Sequence, residues 1–165
     1  MKRTLLLITF FFVICPAAAV DAADPSDNWR ELVAEAYAES DLVMSGIVQS
    51  VDDQTAIDGG HVYNLLVTEQ HKGAPPQQIS IRAGGFFYLV RLEIDETVLV
   101  FLKPNQSNQA LDRSPAYSLV EVPTLTPMIF RVKGGETEPV DSRLQAVFAR
   151  PTVDEMANLL SSFEQ

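Results

Sequence analysis

Five stretches between residues 42 and 122 carry the apolar patterning of β-strands, and they set what this chain can fold into. Leu42–Val51 is rich in Val, Ile and Leu, with Gly46 in its middle. A glycine inside a strand marks a bulge or a sharp bend, the device with which small barrels turn a corner. Val62–Gln70 alternates, placing Tyr63, Leu65 and Val67 on one face and Asn64, Thr68 and Gln70 on the other. Asp52-Asp53-Gln54 and Asp58-Gly59-Gly60 frame a polar turn between these runs, which together predict a long hairpin. The segment from His71 to Pro76 ends it, because proline supplies no ladder donor.

Gln78–Ala83 predicts a short third strand, with Ile79 and Ile81 facing one way. Thr97–Leu102 is apolar almost without interruption, the mark of a strand buried on both faces. Residues 104–116 hold Asn, Gln, Ser and Pro and read as a solvated loop. Tyr117–Val122 is the fifth strand, and Met128–Val132 extends or flanks it. Lys133–Pro139 reads as a polar, glycine-containing break.

Helices flank this β region. Trp29, Leu32, Val33, Ala36 and Tyr37 draw one apolar stripe behind the caps Ser26-Asp27-Asn28, which predicts an amphipathic helix over 28–40 with Trp29 in the core. Leu144, Val147 and Phe148 suggest a short helical turn. Thr152-Val153-Asp154-Glu155 is a capping box opening a last helix over about 153–163, whose Val153, Met156, Ala157 and Leu160 should dock on the barrel. One helix, about five strands with a bent first one, and a terminal helix make a mainly β fold, a small closed or partly closed barrel.

The chain's first residues predict where it folds. Lys2 and Arg3 precede the apolar run Leu5–Cys15, followed by Pro16 and small residues to Ala23, the order of a secretory signal peptide. The run is about half the ~20 residues of a spanning helix, so no stable membrane insertion is expected after cleavage. Cleavage fits after Ala19 or Ala22; we take the second, giving residues 1–22 as the signal and 23–165 as one domain, secreted to the periplasm or beyond. Ile14 stands where a lipoprotein signal places a small residue, which disfavours lipid attachment at Cys15. Cys15 is the only cysteine, so the mature domain has to be held by its core rather than by disulfides.

The whole chain has 12 basic and 22 acidic residues. Losing Lys2, Arg3 and Asp21 leaves 10 and 21, a net charge of -11. A domain this acidic repels nucleic acid, whose phosphates require Lys and Arg, so no nucleic-acid partner is expected.

Short matches along residues 40–122 resemble bacterial secreted domains with a netrin-like, tissue-inhibitor-of-metalloproteinases-like oligonucleotide/oligosaccharide-binding (OB) barrel. They are Ser40–Val48 at the first strand, Val67–Gly73 at the end of the second, Glu93–Leu102 into the fourth, and Tyr117–Val120 in the fifth. Asp95 stands where such domains tend to have glycine. The resemblance implies a five-stranded OB-like barrel acting as a secreted binding module. It does not carry over the inhibitors' mechanism, which chelates zinc through an N-terminal cysteine that the mature domain lacks.

Candidate sites are few. His61 and His71 flank one strand, roughly 30 Å apart in extended geometry, too far to share a zinc ion. Asp52, Asp53 and Asp58 can be read as calcium ligands or as an ordinary acidic hairpin tip; they lack the alternation of an EF-hand loop. Ser45-Gly46 lacks the pattern of a nucleophile elbow, and two surface-type histidines with distant serines make no triad, so neither enzyme activity nor a cofactor is expected. The pair Gly84-Gly85 precedes three aromatics, Phe86, Phe87 and Tyr88. At least one of three consecutive extended side chains points away from the core, making these a candidate interaction surface; packing under a terminal helix is the other reading. The function expected is that of a non-enzymatic binding or accessory module acting on an extracytoplasmic protein, peptidase inhibition being one version. An envelope glycan stacked on the aromatic patch is the alternative.

Overall fold

The computed structural model describes residues 28–52, 60–83, 90–104, 117–122, 126–145 and 148–164. The signal segment, the 53–59 turn with Asp53 and Asp58, the aromatic cluster Phe86–Tyr88 and most of the polar 104–116 loop lie outside them.

The expected strands form. β1 (Leu42–Asp52) and β2 (His61–Lys72) make the long antiparallel hairpin, and β3 (Gln78–Ala83) pairs with β2. β4 (Thr97–Pro104) lies along the other side of β1, from Leu42↔Leu102 to Ile47↔Thr97. β5 (Tyr117–Leu119) closes the ring by pairing antiparallel with β4 and parallel with β3, at Ile81↔Tyr117 and Arg82↔Ser118. This is a closed five-stranded OB-like barrel, in the order β1-β2-β3-β5-β4 and back to β1. Gly46 sits at a register shift in β1, and a Cβ there would lie 2.9 Å from the Leu66 carbonyl oxygen, so the close strand approach at the bulge requires glycine.

The sequence reading ends β2 before His71, but the strand runs to Lys72. Two larger differences lie further along the chain. Val120 leaves the fifth strand: its amide donates to the Phe101 carbonyl, and Glu121–Val122 (β6) pairs separately with Thr126–Pro127 (β7). The supposed break at 133–139 is a hairpin. β8 (Ile129–Lys133) pairs with β4, then turns through Gly134 and Gly135, at φ 62° and 85°, into β9 (Glu136–Pro139). The far edge of β9 is closed by an isolated bridge from Glu136 to Thr152, and the Thr137 amide donates to the Pro151 carbonyl.

Alternation along β4 explains the layers. Val98, Val100 and Leu102 point into the barrel with Met44, Tyr63, Leu65 and Ile81; Leu99 and Phe101 point outward beneath the helices. β4 is therefore buried on both faces, as its composition predicts. The outer layer is α1 (Asn28–Glu39), α2 (Ser142–Gln145, slightly ahead of the expected turn) and α3 (Val153–Ser162). Trp29 is 4% exposed, with its ring 5.8 Å from Phe148, and the stripe Val33, Ala36 and Tyr37 is buried. Thr152 caps α3: its hydroxyl accepts from the Glu155 amide while the Glu155 carboxylate accepts from the Thr152 amide.

Candidate functional site

Among the described residues, the helices pack over Val43 of β1, Leu99 and Phe101 of β4 and Phe130 of β8, and α3 also meets β2 near His71, whereas the buried residues of β3 pack with no helix residue. Tyr63, Leu65, Ile79 and Ile81 fill the barrel, so strand alternation turns Asn64, Leu66, Gln78, Ser80 and Arg82 outward. Register sets these in rows across the strands: Asp52–Val62–Arg82, Ser50–Asn64–Ser80, and Leu66 beside Gln78. The middle row is a side-chain ladder. Asn64 donates from Nδ2 to Ser50 Oγ at 2.9 Å, and Ser80 Oγ donates to Asn64 Oδ1. In these three rows only Asp52 and Arg82 carry charge, on a chain whose net charge is -10.

A second cluster lies on the covered side. Val43 pairs with Lys72 and Met44 with Gln70, which leaves His71 as the extra residue of a bulge in β2. A bulge re-aims its side chain. His71 Nε2 meets Ser45 Oγ on β1 at 2.9 Å, and Glu69 Oε2 lies 3.8 Å from the same nitrogen. The His71 side chain is 11% exposed and that of Glu69 61%. The pair borders a cavity of about 20 Å³, roofed by Met156, Ala157 and Leu160 of α3 and walled by Leu99, Val132 and Thr137. Burial pushes the His71 pKa below its ordinary 6.5, against the pull of the Glu69 and Glu164 carboxylates.

The chemistry open to this cluster is narrow. In a serine–histidine–carboxylate relay the carboxylate holds the ring nitrogen opposite the serine; here Ser45 and Glu69 share Nε2. The pair can hold or lose a proton, but the relay is not assembled.

The structure thus corrects the reading of His71 as surface-type and remote from serine. His61 and His71 do stand near opposite ends of β2, but His71 is enclosed and joined to Ser45. The β1–β2 pairing expected from the alternation places Ser45 opposite Glu69, so the proximity was partly legible; the bulge that adds His71 was not. The ladder face carries no aromatic cluster or motif that marks it in the sequence, since Ser50, Asn64 and Ser80 are each ordinary strand residues. Among the described residues no group of three or more His, Cys, Asp or Glu is placed to hold a metal ion, and no helix is long and apolar enough to cross a membrane. No protein-family model and no curated protein matches this sequence.

Proposed function

We propose that this chain is a secreted, non-enzymatic accessory module of the netrin-like kind, which binds an extracytoplasmic protein through the open β1–β2–β3 face. The observation that carries the reading is the asymmetry of the barrel's cover. Among the described residues, the three helices pack over β4, β8 and one end of the β1–β2 hairpin, while the Ser50–Asn64–Ser80 ladder lies between Val62 and Leu66 at the other end. Side chains already held by hydrogen bonds lose little entropy when a partner docks. A nearly neutral patch on an acidic domain also lets a partner approach without stripping water from many charges.

An envelope glycan is the second reading, favoured by the hydroxyl and amide groups of the same ladder. The test is crosslinking of the purified protein in a native envelope extract, comparing Ser80→Arg with Glu35→Gln, a variant of the same charge change on exposed α1. A protein captured by wild type and Glu35→Gln but lost from Ser80→Arg is the expected result. Equal capture by Ser80→Arg removes this face as the binding surface, and capture of glycan alone favours the second reading.

A further inference from the structure

We propose that docking of α3 on the barrel is linked to a proton on His71: α3 seats fully over the Ser45–His71 pair only while the imidazole is neutral. This is independent of the open-face reading, since it concerns the other end of the β1–β2 hairpin, beneath α3. The geometry begins with the β2 bulge, which turns the His71 ring beneath α3 rather than to solvent. Around it, α3 contributes Met156, Ala157 and Leu160, and β4 and β8 contribute Leu99 and Val132. None of these can solvate a cation. The cavity has room for about one water, and with the His71 side chain only 11% exposed most of an imidazolium would stay unhydrated.

Ser45 Oγ can accept one N–H of the imidazolium, but it is neutral, and the charged and titratable groups near the ring do not replace the rest of the missing water. Glu69 is 3.8 Å away but mostly in solvent, which screens it. Glu164, just past α3, attracts the proton more weakly than burial repels it. On the same strand Lys72 is itself a cation, with its ammonium donating to the Tyr37 carbonyl and lying over the Tyr37 ring. The Tyr37 hydroxyl, from α1, points at the His71 backbone carbonyl, and Thr137 of β9 already donates to Pro151. Protonation is therefore best accommodated when α3 lifts and admits water.

The sign follows from the downward shift. The stabilising contribution is complete above the ordinary pKa of 6.5 and is lost as pH falls through the lower folded value. Because linkage is reciprocal, loosening α3 must also raise the proton affinity of His71.

Amide hydrogen exchange of the purified protein from about pH 7.5 to 5, corrected for intrinsic rates, reads the effect directly. Protection of Met156–Leu160 should fall by up to about tenfold per pH unit in the wild type, the limit for one proton. It should stay level in His71→Gln, whose neutral amide retains a polar group beside Ser45. Level protection in the wild type, or the same fall in His71→Gln, overturns the proposal. Because His71→Gln also changes the packing beneath α3, a second measurement follows the His71 ring by NMR titration in the wild type and in Leu160→Ala. A midpoint that rises toward 6.5 in Leu160→Ala supports the linkage, and an unchanged midpoint overturns it.

Discussion

The Asp95 amide donates to the Val48 carbonyl at 2.9 Å while Asp95 itself stands at φ 67°, the left-handed region. The same turn returns the bond, since the Val48 amide donates to the Glu96 carbonyl at 3.0 Å. The β3–β4 connection is thus tied to β1 just before β4 begins, through a conformation that glycine adopts most readily. Asp95→Gly should stabilise the fold by about 0.5 kcal/mol, the steric relief being partly offset by a more flexible unfolded chain. The urea midpoint should rise; a lower one would mean that the Asp95 side chain contributes more than its backbone costs.

Gly73 ends the β1–β2 hairpin at φ 74°, and a Cβ there would press on the Asp41 carbonyl oxygen and come within 2.6 Å of Leu42 Cδ2. Strain and overlap act together, so Gly73→Ala should cost about 2–4 kcal/mol. Gly134→Ala is the comparison, because Gly134 is also left-handed but nothing lies within 4 Å of its would-be Cβ. Equal losses in the two variants would show that the backbone conformation alone matters.

Tyr63 anchors the far end of the β3–β4 connection from inside the barrel. Its hydroxyl donates to the Val90 carbonyl at 2.9 Å and accepts from the Leu92 amide at 3.3 Å. Tyr63→Phe keeps the ring but strands two buried backbone groups, a loss of about 1–3 kcal/mol by chemical denaturation. Exchange at the Leu92 amide should quicken more than at Val100; uniform quickening would deny the anchoring role.

Asp141 opens α2 as an acceptor, taking bonds from the Arg143 amide at 2.8 Å and from its guanidinium at 2.9 and 2.6 Å. These bonds hold the Asp141 pKa below its ordinary 3.8. The stabilisation is present above 3.8 and disappears as pH falls through the lower folded value. Asp141→Asn should cost about 1 kcal/mol near neutrality, a modest figure because Arg143 is 43% exposed. The gap between variant and wild type should close at still lower pH, and a gap independent of pH would assign the loss to packing instead.

By itself the sequence determined the features that depend on residues close together along the chain. The Trp29-to-Tyr37 stripe made α1, the Thr152–Glu155 box started α3, and the near-continuous apolar run of Thr97–Leu102 announced burial on both faces. Tertiary structure decided what depends on register. Glu136–Pro139 has the composition of a loop, and it is a strand because β8 and the Pro151–Thr152 segment supply partners for its backbone. Ser45 and His71 are 26 residues apart and meet through a one-residue bulge, which leaves no trace in composition. The open ladder likewise consists of Ser50, Asn64 and Ser80, each ordinary in its own strand. They become one surface only when hydrogen-bonded pairing sets three strands side by side, because strand pairing fixes which side chains are neighbours and local preference does not.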